Sequence, residues 1–306
     1  MDLRLLRYFV TVAQAGHMTR AAALLGIQQP PLSQQIKSLE QQLGLRLLKR
    51  HPKGVSLTEA GQHFLAEAQR LLNDFSDMRE RMSLLAKGEQ GVLSLGFTQS
   101  AAAHAFTPAV LRACRRRYPG IVLKLGEDSA AGLTDAVARS RMHAALLRVP
   151  VSNPEGLVFE ALLTEPTLVA MPLDHRLAKV ARARTTPVTL RALEGETLIL
   201  VRQAGAPGLY ANLLAQCARH GVEVRIAAEV ERMMTNLNLV AAGVGLSVVP
   251  ASMRGVHAKS VVYRPLSKTA GLDAPLTLVY RDADLSGATQ SFLKLARQIA
   301  VDHAAA

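Results

Sequence analysis

Residues 26–44, GIQQPPLSQQIKSLEQQLG, gather side chains suited to reading a hydrogen-bonding partner. Gln28, Gln29 and Gln34 each donate and accept at once, Ser33 does so on a shorter arm, and Lys37 adds a positive charge. The chemistry on offer is recognition rather than bond making, because a glutamine amide can pair with an adenine edge or reach a phosphate oxygen. Pro30 and Pro31 lead into Leu32, Ile36, Leu39 and Leu43, whose spacing predicts a helix. Proline fits a first helical turn because it has no N–H to leave unpaired. The free N–H groups and positive dipole end of such a helix then face outward, where an anion is welcome.

The flanking sequence supplies elements to hold that segment. Leu5, Leu6, Phe9, Val10, Val12 and Ala13 recur at helical spacing and predict a helix over about residues 3–14, ended by Ala15-Gly16. A second short helix, RAAALLG, is expected with Thr19 as N-cap and Gly26 as its stop. Two short helices on a tight glycine turn, the second with a polar exposed start, form a helix-turn-helix pattern that docks in the DNA major groove. Beyond Gly44, Arg46, Lys49, Arg50 and Lys53 surround a Pro-Lys-Gly turn, which predicts a basic hairpin wing gripping the flanking backbone or minor groove. Residues 1–57 hold eight Lys/Arg against two acids, within a chain of net charge +12. This basic density favours an anionic partner.

Thr58 and Glu59 are expected to cap a long helix reaching about Lys87. Along it Phe64, Ala68, Leu71, Phe75, Met78, Met82 and Leu85 repeat at 4 and 3 residues over three heptads, an a/d seam that predicts a coiled-coil dimer. A dimer would present two recognition helices to a two-fold-symmetric site. Gly88-Glu89-Gln90-Gly91 breaks the helix. After it, strand-like runs such as VLSLGF, IVLKLGE, HAALLRV, TLVAM, TLILV, VEVRIAAEV, GLSVVP and LTLVY alternate with helical stretches. That alternation predicts α/β architecture with mostly parallel sheets, closed by a last helix over about residues 286–302 that returns to the first subdomain. Ligands collect at the carboxyl ends of such strands. There Thr98-Gln99-Ser100 follows the first strand, three polar side chains that suit a carboxylate or simply cap a helix.

The stretch LRYFVTVAQAGHMTRAAALLGIQQPPLSQQIKSLEQQLGLRLLKR followed by LTEAG resembles, densely over about sixty residues, the N-terminal signature of LysR-type transcriptional regulators. The resemblance implies that Gln29, Pro30, Ser33, Gln34 and Arg50 lie at or near DNA; Pro31 at the helix start and Lys53 in the wing join them from the reading above. Gln34 stands where the family often has arginine, so a charged contact is missing there. From Val92 on, the chain is similar to the family's effector-binding domain, two α/β subdomains like those of periplasmic binding proteins around a ligand cleft. The branch controlling aromatic-compound breakdown places a polar pair after the first strand, matching Thr98 and Ser100, and an arginine after HAALL, matching Arg148. An arginine there can clamp a carboxylate bidentately. Glu127, Asp128 and Ser129 stand where small polar residues are usual. The two acids can pair with Arg148, discriminate a ligand hydroxyl or amine, or face solvent. Arg202 is a further contact.

The expected organisation is a winged helix-turn-helix over 1–57, a linker and dimerisation helix over 58–88, and an effector domain over 89–306. Its first subdomain covers about 91–162 and 267–306, its second about 163–266. The implied function is a regulator that binds promoter DNA as a dimer of dimers and answers to a small carboxylated metabolite, aromatic or dicarboxylate, with RNA polymerase a further partner. No cofactor or metal is expected. HExxH, GxSxG and GxxxxGK[ST] are all missing, and Gly243 and Gly245 lie on a helix-to-strand turn, the reverse of a dinucleotide fingerprint. The nine histidines lack metal spacing, and Cys114 and Cys217 read as buried thiols. With no apolar run near the ~20 residues that span a bilayer and no signal-peptide pattern, a cytoplasmic, nucleoid-associated protein is expected rather than a membrane protein or an exported solute receptor. A DNA-compacting protein would leave the α/β region without a role.

Overall fold

The computed structural model describes residues 1–148, 154–179, 185–201, 208–284 and 287–304. It divides into two compact units, Met1–Ser83 and Leu84–Ala306. In the first, α1 (Leu3–Ala15) is capped by Asp2, which accepts from the Leu5 N–H at 2.8 Å, and ends on Gly16 in the left-handed region. α2 (Met18–Leu25) begins one residue before the expected cap. Thr19 therefore lies inside the helix, and the cap position falls to His17, whose side chain makes no capping bond. The reason is Met18, which is buried and draws the helix start back into the core. α3 (Gln29–Leu43) takes both prolines in its first turn and buries Leu32, Ile36 and Leu39 against Phe9, Val12 and Ala21. The strands β1 (Leu48–His51) and β2 (Gly54–Leu57) pair antiparallel as the wing.

α4 (Glu59–Ala86) starts where Thr58 Oγ1 accepts from the Gly61 N–H at 2.9 Å. Its apolar stripe divides in two. Phe64 meets Phe9 edge-on with ring centroids 5.1 Å apart, and Ala68 packs with Leu6 and Val10, so these two positions belong to the head's own core. Leu71, Met78, Met82 and Leu85, by contrast, are 43 to 54% exposed.

The second unit has two lobes. β3 (Gln90–Phe97), α5 (Gln99–Ala102), α6 (Phe106–Arg117), β4 (Gly120–Glu127), α7 (Ala130–Ala138), β5 (Ala144–Leu147) and β6 (Leu157–Glu165) open the first. β7 (Thr167–Pro172), β8 (Thr197–Val201), α8 (Leu209–Arg219), β9 (Arg225–Val230), α9 (Met233–Ala241), β10 (Ser247–Pro250) and β11 (Val261–Pro265) build the second. The chain then returns by β12 (Ala274–Arg281) and α10 (Gly287–Ala304). The first sheet has the order β4-β3-β5-β12-β6, and the second lobe pairs β10-β7-β11 and β8-β9. Phe292, Leu293 and Ala296 of α10 enter the first core beside Phe106, Val110 and Cys114, as a returning last helix requires.

The expectation of mostly parallel sheets needs correction. β3 pairs parallel with β4 and β5, and β8 with β9, but β12 runs antiparallel to β5 and β6, and β10 and β11 run antiparallel to β7. Parallel pairing needs a crossover of a dozen or more residues. The strand leaving the first lobe, β6, and the strand re-entering it, β12, lie side by side and run opposite ways. β6 and β11 carry no clear strand signature, since LVFEALLTE lacks a clean two-residue alternation and VVYRP is only five residues long.

Candidate functional site

The head presents the anticipated face. Leu32 and Ile36 turn inward, while Gln28, Pro30, Pro31, Gln34 and Lys37 are exposed and Gln29 and Ser33 half-exposed. Gln28 occupies the N-cap of α3 without capping it, so its amide is not used by the helix. Arg50 of the wing donates from Nη2 to Ser33 Oγ at 3.2 Å, which joins wing and recognition helix directly. Lys53 sits in the two-residue turn between the paired His51 and Gly54. Two further contacts fix the wing. The Val55 N–H donates to Gly16 O at 2.9 Å, and Glu40 Oε1 accepts from Leu47 N at 2.8 Å and Leu48 N at 3.1 Å. Gly54 must be glycine, because its φ is +135° and an added Cβ would lie 2.3 Å from Gly16 O. These exposed donors on a helix start and a basic hairpin can bond base edges and phosphates together.

In the second unit the polar residues gather where the lobes meet. Thr98 caps α5, accepting from the Ala101 N–H at 3.3 Å, and Ser100 is buried. Arg148 follows β5, its carbonyl held by Thr277 Oγ1 at 2.7 Å. Its Nη2 donates to Ser100 O and, at 2.8 Å, to Ser252 Oγ of the second lobe, and lies 2.6 Å from Glu165 Oε1. Glu165 in turn accepts from Ser252 N at 2.7 Å and Ser252 Oγ at 2.8 Å. Arg148 and Glu165 are each only 11% exposed. Burial lowers the Arg148 guanidinium from its ordinary range, with Glu165 acting in the opposite direction. The Nε and Nη1 atoms of Arg148 are buried with no partner among the described residues.

A second cluster bridges the lobes. Gln99 Oε1 accepts from Met234 N at 3.0 Å, and its Nε2 donates to Glu127 Oε1 at 3.1 Å. That same carboxylate oxygen accepts from Arg232 Nη1 at 3.2 Å. Neither Glu127 nor Asp128 is the carboxylate that pairs with Arg148; Glu165 is. Asp128 is exposed and accepts from Ser129 N at 2.7 Å, while Ser129 Oγ caps α7 by accepting from Gly132 N at 3.1 Å. Arg202 lies outside the described residues. No local signal in the sequence marks Glu165, Arg232 and Ser252, since their partners lie 17 to 105 residues away.

On the first lobe, a cavity of about 410 Å³ is lined by His104, residues 161–164 and His303. The two imidazoles meet edge-on at 5.7 Å. Burial lowers His104 from its usual range, Glu165 raises it, and Arg148 and His303 lower it. Among the described residues no three His, Cys, Asp or Glu side chains are arranged to hold a metal, and no helix is long and apolar enough to cross a membrane.

A winged helix-turn-helix with an exposed polar recognition helix, in one chain with a two-lobed α/β domain built around an arginine at the lobe junction, defines a ligand-responsive DNA-binding regulator. Residues 3–62 match the family described as bacterial regulatory helix-turn-helix protein, lysR family, and residues 86–300 match the LysR substrate binding domain. The transcriptional regulator BudR of Raoultella terrigena is 34% identical over 295 residues, which span 96% of this chain and 100% of BudR. The crystal structure of CbnR, a LysR family transcriptional regulator, superposes with a TM-score of 0.85 at 27% identity, covering 97% of this chain and 100% of CbnR. Full-length CbnR complexed with its target DNA gives 0.82 at 26%, covering 98% and 100%. The chain belongs to the LysR family of transcriptional regulators, and it is not an enzyme.

Proposed function

We propose that this regulator binds a two-fold-symmetric promoter site as a dimer of dimers and responds to a small carboxylated metabolite received at Arg148. The observation that carries the effector reading is the pair of buried, unpartnered donors on Arg148. A buried N–H without an acceptor is destabilising by roughly 1–3 kcal/mol, and a carboxylate supplies the missing acceptor with charge assistance. Arg148 Nη2 already touches Ser100 in one lobe and Ser252 in the other. A ligand that redirects this guanidinium therefore favours one lobe arrangement over another, and differential affinity for two arrangements is all an effector has to work with. The exposed half of the α4 stripe supports pairing of subunits, and the resemblance to the family supports the dimer of dimers. Under this reading the protein works in the cytoplasm on nucleoid DNA, needs no cofactor, and passes its state to RNA polymerase.

Calorimetric titration of the full chain with benzoate-like acids and dicarboxylates tests the effector reading. Binding is expected for the intact protein and should be lost in Arg148→Ala. Unchanged affinity for every such acid in that variant would remove Arg148 from the site. Footprinting across the genome with and without the acid that binds then identifies the promoters.

A further inference from the structure

Two arginines of the lobe junction could each receive an acid group, and they differ in what already surrounds them. Arg148 is paired with Glu165 through Nη2 alone and keeps Nε and Nη1 unpartnered. Arg232 stands at the N-cap of α9 and makes no capping bond there with its own side chain. The first turn of a nine-residue helix next to a guanidinium would ordinarily draw an anion. Here the chain has filled that place from the opposite lobe. Gln99 Oε1 takes the Met234 N–H, and the Glu127 carboxylate takes the Arg232 guanidinium, with Gln99 Nε2 fixing the same Glu127 oxygen. Asp128 lies next to Glu127 in sequence and is also exposed. The ion pairs that the junction contacts bring together are Arg148 with Glu165 and Arg232 with Glu127, and Asp128 follows Glu127 in sequence.

We infer that the effector carries one carboxylate, and that Glu127 is the residue that excludes a second. This rests on the acid-effector reading above and narrows its ligand class. A single carboxylate satisfies the free donors of Arg148 and leaves the Gln99–Glu127–Arg232 cluster closed. A diacid of similar length must do one of two things. It can expel Glu127 from Arg232, which leaves an unpaired carboxylate beside Asp128, or it can hold its second charge unpaired next to both acids. A second carboxylate beside Glu127 and Asp128 meets like charge. Because the Glu127 and Arg232 side chains are 47 and 55% exposed, solvent screens that repulsion, and binding should weaken by about threefold or more. The body of the effector is correspondingly uncharged at its far end.

The experiment uses matched acids that differ only by the second carboxylate: hexanoate against adipate, and benzoate against terephthalate. Each is titrated calorimetrically into the full chain, into Glu127→Gln and into Arg232→Gln, with circular dichroism confirming that the variants fold. The intact chain should bind at least one monoacid about threefold or more tightly than its diacid partner. Glu127→Gln should bring that ratio close to one, and Arg232→Gln, which leaves Glu127 uncompensated, should keep or widen it. A diacid that binds the intact chain as tightly as its monoacid, or a ratio indifferent to Glu127→Gln, overturns this inference while the acid-effector reading stands. If no acid of either pair binds, the acid-effector reading falls and this inference with it.

Discussion

Glu40 is one of only two acids among the first 57 residues, and its position gives it a task beyond its share of the net charge. Both main-chain donors at the root of the wing, Leu47 N at 2.8 Å and Leu48 N at 3.1 Å, converge on the single oxygen Oε1. Leu47 and Leu48 are buried, so water is a poor substitute. Glu40→Ala therefore orphans two donors. At roughly 1–3 kcal/mol for each, trimmed by partial relaxation, the root of the wing should lose about 2–4 kcal/mol. Glu40→Gln keeps a carbonyl oxygen that can accept both bonds and loses only the charge assistance, so about 1 kcal/mol is expected. Because a chain with two units need not unfold in one step, the loss is best read locally, from hydrogen exchange at the Leu47 and Leu48 amides. DNA affinity supplies an independent sign. Removing an acid from a basic head should tighten DNA binding if charge alone mattered, whereas a displaced wing should weaken it. Equal exchange rates in the Ala and Gln variants, or tighter DNA binding by Glu40→Ala, would refute the positional account.

Other outcomes follow from the same geometry. Lys53→Ala at the wing turn should weaken binding about equally on all sequences and reduce the slope of log affinity against log salt by about 1. Gln29→Ala should instead relax preference at particular base pairs, at roughly 1–3 kcal/mol for each contact, and equal loss on cognate and random duplexes would remove it as a base reader. Met78→Glu with Met82→Glu places charges on the exposed half of the α4 stripe, and sedimentation should show dissociation at concentrations where the parent chain is associated. Burial holds the neutral form of His104 in the fold, so its contribution to stability is present above the unfolded-state value of about 6.5 and is lost as pH falls toward the lower folded value. The unfolding midpoint should therefore drop with acidification below about pH 6.5 more steeply than in His104→Gln, and parallel pH profiles would count against it.

How much of this was legible in the sequence depends on how far apart the interacting residues lie along the chain. The head could be read almost residue by residue, because periodicity, prolines and glycines fix three short helices locally. Leu32, Ile36 and Leu39 are buried as spaced, and Gly16, Gly26 and Gly44 close their helices in the left-handed region. Thr19 has the cap chemistry, but the burial of Met18 moves the cap position to His17. The α4 stripe is legible as a repeat, but a repeat cannot say where its packing against the chain's own α1 ends and exposure begins, as it does after Ala68. In the second unit most strands are legible, β6 and β11 excepted, and strand direction is not, since direction depends on which elements a crossover must pass. The junction was hardest. Arg148 stands out through the family resemblance, yet what it can do is decided by Glu165 and Ser252, and the behaviour of Gln99 by Met234, 135 residues away. Such partners carry no local pattern, because an ion pair across a lobe junction constrains neither propensity nor spacing. A site whose basic groups already hold internal acids therefore reads from sequence as an open clamp. Only the fold reveals how much of that clamp the chain has kept for itself.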